Sequence, residues 1–219
     1  VKISKETISI LKHLSTINSN IILKPGSVVS TISPQKNVVA DIAIAEVFDT
    51  EFGIYDLSEF LGALSLFNDP DIIFKSKFAL ISENGNAIKY YAADTSILIA
   101  PTKSVKFPTP DLEFTLSQET LALVLRTAGV LRSSDVSLVA DGESLTFEVA
   151  DLKSATSNSF TVPLGDTDQN FRANFKTENL KLIPGEYEVS ISSKKISRFK
   201  HTSIDAVFFA ALEASSTFE

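Results

Sequence analysis

Cysteine, methionine and tryptophan are absent from this chain of 219 residues, and histidine occurs only twice, as His13 and His201. Without cysteine there is no disulfide, thiol nucleophile, cysteine–zinc site or iron–sulfur cluster. Two histidines are too few for a multi-histidine metal centre. No apolar run approaches the ~18 residues of a membrane-spanning helix, and the opening VKISKETISI lacks the apolar core of a secretory signal. The cytoplasm is therefore the expected compartment, with no membrane partner. Neither GxxxxGKS/T nor GxGxxG follows a strand-like run, and there is no GxSxG elbow, so nucleotide cradling and serine-hydrolase chemistry have no support. An excess of positive charge is missing too: 20 Lys and Arg face 27 Asp and Glu, a net charge of −7. That excludes a chain that coats nucleic acid with its whole surface, while leaving room for a basic face on an acidic body.

What remains is an ordinary globular balance, with 44% hydrophobic and 21% charged residues, which excludes disorder. The length suits one large domain or two of about 110 residues. Ser4 can cap a helix in which Ile10, Leu11, Leu14 and Ile17 recur at 3/4 spacing. Lys5 and Lys12, seven apart, project from nearly the same side. Ile21–Leu23, a Pro25-Gly26 turn, Val28–Ser33 and Val38–Phe48 read as strands. Asp56 caps a second helix over 56–67, which has no basic residue. Ile72–Ser82 and Ala87–Ala100 read as strands flanking Asn84-Gly85, a hairpin signal.

Residues 101–110, PTKSVKFPTP, hold three prolines without periodicity and read as an extended connector. This places an N-terminal domain at 1–100 and a C-terminal domain at 111–219. Beyond the connector the pattern restarts: Ser117-Gln-Glu-Thr-Leu resembles Ser4-Lys-Glu-Thr-Ile. Leu121, Val124, Leu125 and Ala128 form a stripe, with Arg126 off it and Arg132 near its end. Strands follow at Val136–Val139 and Leu145–Val149 around Asp141-Gly142. A short helix capped by Thr177 (TENLKLI) stops at Pro184-Gly185, and Tyr187–Ser192 and Ala206–Leu212 close as strands. Each half thus reads helix, strands, helix, strands, the order of a duplication.

Catalytic candidates are sparse. His13 and His201 read as surface histidines, the second in a charged loop. Asp69/Asp71 and Asp166/Asp168 could hold Mg²⁺, yet carboxylates after a helix or in a turn ordinarily satisfy backbone. No metal, cofactor or catalytic residue is therefore expected, and the chain reads as no enzyme. The surface argument is stronger. Lys5, Lys12, Arg126, Arg132 and Lys181 fall on the expected helices, whereas acids are expected in strands, turns and tails.

Three stretches carry a resemblance: SKETISILKHLSTINSNIILKPG (4–26), IYDLSEFLGALSLFND (54–69) and VFFAALEASSTFE (207–219). Weaker echoes lie in 92–108, 163–171 and 179–189. The chain resembles the DNA polymerase sliding clamps, or processivity factors, of T-even-type bacteriophages. The resemblance implies an α+β DNA-clamp fold: two similar domains, each with two helices packed on curved antiparallel sheets, and three chains in a six-domain ring. Helices would line a hole around duplex DNA, contacted without sequence preference. It further implies a homotrimer that tethers the replicative polymerase and is opened by a clamp loader, in the cytoplasm of an infected bacterial host.

Position by position, Lys5, Lys12, Arg126 and Lys181 match basic positions of the family. Arg132 is basic where relatives are not, and Gly129 lacks a charge that a relative carries, a compensating pair. Subunits would join through the strands near 88–99 and 156–164, involving Tyr90, Tyr91, Ser159, Phe160 and Val162. Partner peptides would enter an apolar groove between the domains, near Val105, Phe107 and Leu212. The alternative is an oligomeric β-rich phage structural or scaffold protein.

Overall fold

Ser4 turns the chain into helix α1 (Lys5–Ile17) by accepting the Thr7 N–H on its side chain. The computed structural model describes residues 1–154 and 156–218. Ile10, Leu11, Leu14 and Ile17 of α1 are all buried, as an apolar stripe at 3/4 spacing requires. Asp56 opens α2 (Leu57–Leu64) by accepting the N–H groups of Ser58 and Glu59. Ser117 opens α3 (Gln118–Leu131) through the Thr120 N–H, repeating the device of α1. Each helix carries an acid in its first turn, Glu6, Glu59 or Glu119, beside the positive end of the dipole. Arg132 ends α3 in the left-handed conformation, at φ 52°.

The chain divides into two compact units, residues 1–104 and 105–219. In the first, β1 (Ile21–Leu23) pairs antiparallel with β4 (Phe52–Ile54). The strands β2 (Gly26–Ile32) and β3 (Val38–Phe48) form a hairpin. A three-stranded antiparallel sheet follows, in the order β5 (Asp71–Phe74), β6 (Phe78–Glu83), β7 (Asn86–Tyr91). Asn84 (φ 51°) and Gly85 (φ 82°) make the tight β6–β7 turn, with positive φ at both central positions as an Asn-Gly hairpin demands. Helix α1 packs on α2, and Phe74 meets Phe48 and Phe52 edge-on at 5.5 and 5.0 Å.

The second unit contains β8 (Leu112–Leu116), β9 (Asp135–Asp141), β10 (Ser144–Val149), β11 (Phe160–Asp166) and β12 (Asn170–Lys176). It continues with β13 (Tyr187–Ser192), β14 (Ile196–His201), β15 (Ala206–Ala211) and β16 (Thr217–Phe218). One sheet runs β11-β10-β9-β12-β16 and is antiparallel throughout. In the other, β14 pairs with β15 and β13, and β13 with β8. Helix α3 packs on β9, β10 and β11, burying Leu121, Val124 and Ala128.

Several expectations are corrected. The helix expected over 177–183 is only a 3-10 turn, Thr177–Asn179, with no side-chain cap. Pro184 disfavours helical backbone at Ile183, and a helix of two turns is marginal in any case. The second unit therefore has one α-helix among the described residues, not two. The run 72–82 is two strands, broken at the polar triplet Lys75-Ser76-Lys77, where the Lys75 N–H donates to the Phe78 carbonyl. The strand expected to reach residue 100 stops at Tyr91. The chain then hooks onto β4 through the Ala93 N–H and Gly53 carbonyl, 2.9 Å, and Asp94 caps a 3-10 turn at Thr95–Ile97. His201 is not a surface histidine in a loop: it ends β14, 8% exposed. Its Nδ1 accepts the N–H groups of Ser203 and Ile204 at 3.0 and 3.3 Å.

Candidate nucleic-acid interface

Two turns of helix separate Lys5 from Lys12, so both stand on one side of α1 while the Leu11/Leu14 stripe is anchored in the core. Both are exposed. They border a groove of about 430 Å³ between α1 and α2, whose apolar wall includes Ile8, Leu61, Leu64 and Phe67. In the second unit Arg126 is exposed on α3, and Arg132 is exposed at its left-handed cap. None of the four makes a salt bridge among the described residues. Cations held on rigid helices without a carboxylate partner are free to meet phosphates.

Lys181 differs from these four: it is half-buried, lies outside any helix rather than on the one expected, and has interactions of its own. The expected confinement of positive charge to helices is not found either. Helix α2 has no cation, and the first-turn acids Glu6 and Glu119 offset part of the positive charge of α1 and α3. Lys75, Lys77 and Lys89 lie in a turn and a strand, where sequence reading did not look for them.

The strands β7 and β11 each end a sheet, paired on one side only among the described residues. Their residues divide by face. The Tyr90 ring turns inward, edge-on to Phe60 at 5.2 Å, and its hydroxyl donates to the Asp56 carbonyl at 3.2 Å. Burial, with the nearby Glu59 and Asp56 charges, pushes that hydroxyl up to about 12. Tyr91 faces the other way and is 67% exposed. In the second unit Ser159 precedes β11, Phe160 is 41% exposed, and Val162 is buried.

Val105, Phe107 and Leu212 all belong to the second unit. Phe107 lies against Phe209 with centroids 6.3 Å apart, and the Arg198 guanidinium covers its ring at 5.1 Å. Leu212 is buried.

The carboxylate pairs have other partners: Asp69 binds Lys2, and Asp168 accepts from the Gln169 amide. Among the described residues no group of three or more His, Asp or Glu is arranged to hold a metal ion. No helix among them is long and apolar enough to cross a membrane.

A family model described as DNA polymerase processivity factor matches residues 4–99, and one described as gp45 sliding clamp, C terminal, matches 113–214. The chain belongs to the sliding-clamp family. It is 33% identical to the sliding clamp of Enterobacteria phage T4, over 99% of both chains. It is 32% identical to that of Vibrio phage KVP40, over 98% of this chain and all of the other. Among solved structures, Archaeoglobus fulgidus PCNA, described as "C-terminal region of FEN-1 bound to A. fulgidus PCNA", matches with a TM-score of 0.71 at 14% identity, over 99% of each chain. Thermococcus kodakaraensis PCNA matches at 0.68 and 15%, over 97% of this chain and 99% of that one. At such identities the structural likeness is one of fold, the α+β clamp fold that the sequence resemblance implied. These matches do not favour a phage structural or scaffold protein.

Proposed function

We propose that this chain encircles duplex DNA as a homotrimeric ring and tethers the replicative polymerase for processive synthesis. The observation that carries this reading is the pair of family matches, one to each unit and in family order. A closed circumference replaces tight binding. Lys5, Lys12, Arg126 and Arg132 contact phosphates without reading bases, so the ring slides. Lys181, half-buried, is a secondary contact in this scheme. A polymerase held on the ring keeps a high effective concentration at the primer end.

Copies join through β7 of one chain and β11 of the next, with Tyr91 and Phe160 presenting rings near the junction, Tyr90 and Val162 supporting them from the core, and Ser159 leading into it. The clamp domains are 1–100 and 111–219, joined by 101–110. Partner peptides dock near Val105, Phe107 and Leu212. The chain itself makes and breaks no bond and needs no cofactor, and a separate ATP-driven loader opens the ring. It works in the cytoplasm of the infected host.

Light scattering after gel filtration tests the ring. The expected species is three times 23.8 kDa, about 71 kDa, and it should remain on circular duplex after loading and slide off once the circle is cut. A monomer that persists at high concentration overturns the proposal.

A further inference from the structure

The β5–β6–β7 sheet has one face turned to the core and one to solvent. Ile72, Ala79 and Ile81 are buried on the inner face, and Tyr90 meets Phe60 there. The outer face follows from the register. Ile73, Leu80 and Lys89 form one cross-strand row, and Phe78 lies opposite Tyr91 in the next. Ile73 is 51% exposed and Tyr91 67%. The Phe78 and Tyr91 rings are 6.4 Å apart.

Cations converge on these rings. The Lys89 ammonium lies 4.2 Å from the Phe78 centroid and 4.9 Å from that of Tyr91, and Lys75 lies 5.3 Å from Phe78. Lys77, exposed, adjoins them in the β5–β6 turn. None of the three lysines makes a salt bridge among the described residues. The acids of this sheet lie at its other end, with Asp71 opposite Ser82 and Glu83 opposite Asn86. Lysines on an edge strand also discourage unwanted pairing. Lys75 and Lys77, however, are in the turn away from the free edge of β7, so that role does not account for them. In a chain of net charge −7, this is a local cationic island around two aromatic rings.

We propose that the outer face of β5–β6–β7 binds single-stranded nucleic acid, with bases stacking on Phe78 and Tyr91 and phosphates meeting Lys75, Lys77 and Lys89. The two rings are tilted 57° to each other, so each offers its own face to a separate unstacked base, as aromatic side chains on a sheet can. Cations around them track the backbone, and stacking of this kind tolerates any sequence. A duplex hides its base faces and gains nothing from the rings. The site is separate from the helix cations proposed to meet duplex DNA, and it does not depend on ring closure.

The test uses the full chain and a fluorescent oligo(dT) of about 15 nucleotides, with anisotropy measured at low salt. Three phosphate contacts give a log–log salt slope of about −2. Lys75→Gln and Lys89→Gln should each make the slope shallower by about 0.7, and Tyr91→Ala should weaken binding about tenfold. Lys12→Glu should leave oligo(dT) binding unchanged, and native mass should be unchanged by Lys12→Glu and Lys75→Gln. Tyr91 lies near the proposed junction between copies, so Lys75→Gln, in the turn, keeps the test independent of assembly. Absence of oligo(dT) binding, or binding indifferent to Lys75→Gln and Lys89→Gln, overturns the proposal. Equally tight binding of polyglutamate that shows the same dependence on these residues also overturns it, and assigns the face to an acidic peptide. The ring is judged separately by native mass, so either proposal can fail alone.

Discussion

His201 occupies the space that a β-carbon on residue 185 would need: a Cβ built there falls 2.0 Å from Nε2 of the ring. The imidazole has no room to retreat, because its Nδ1 holds the Ser203 and Ile204 N–H groups and its face meets Tyr187 edge-on at 5.0 Å. The turn before β13 and the turn after β14 are locked together by this one approach.

Gly185→Ala is therefore expected to cost about 3 kcal/mol through overpacking, lowering the melting temperature by about 6–12 °C for a chain of this size. Calorimetry reads the shift. Adding His201→Ala should recover part of it, since residues in contact are not additive; a fully additive double variant would show that the clash is relieved elsewhere.

Reversing charge with Lys12→Glu and Arg126→Glu should leave fold and native mass unchanged and reduce loading and processive synthesis. Each removed phosphate contact should lower the salt slope of duplex binding by about 0.9. Primer extension on a long template with the doubly reversed chain is the direct measurement, and undiminished product length would count against these contacts.

Asp135 is buried at the start of β9, paired with Lys176 and accepting from the Ser134 hydroxyl. Burial alone would push its carboxyl up, but these partners more than offset that and hold it below the ordinary carboxylate range. The stabilisation is present above the unfolded value of about 3.9 and is lost as pH falls through the lower folded value. Asp135→Asn should then cost about 3 kcal/mol near neutrality and progressively less below about pH 4. Urea unfolding at pH 7 and pH 3 compares the two conditions, and an equal cost at both would remove the ion pair as the cause.

Ser4→Ala and Ser117→Ala each remove the side-chain acceptor of an N-cap bond, 3.2 Å to the Thr7 N–H and 3.1 Å to that of Thr120. Each should cost about 1 kcal/mol. The caps belong to different units, so the two costs should add in the double variant. Thermal melts of the three variants give the answer.

The three helices were legible because their signals are local. Ser4, Asp56 and Ser117 stand immediately before apolar stripes, and side-chain caps act within three residues. Strands β12 and β14 were not legible. NFRANFK and ISRFKH look like charged loops, because their arginines are satisfied across the sheet. Arg172 is held by Ser137 and Glu148, and Arg198 by Ser190 and Glu113, partners that no local pattern records. Lys181 misled in the opposite direction: Leu180 and Ile183 mimic a helical stripe, but Pro184 denies it the length to form. The site followed the same rule. Lys5 and Lys12 could be placed on one side by counting residues. Lys75 and Lys89 meet over Phe78 only because β6 and β7 pair, and their separation in sequence gives no hint of it.

The free edges of β7 and β11 also give the chain a polarity. If β7 of one copy pairs with β11 of the next, two copies joined this way still leave one open edge of each kind. The dimer has the same unmet valence as the monomer, and so does any open row of copies. Only a cycle leaves none, so assembly has no natural stopping point short of closure, and opening one junction exposes both edges at once.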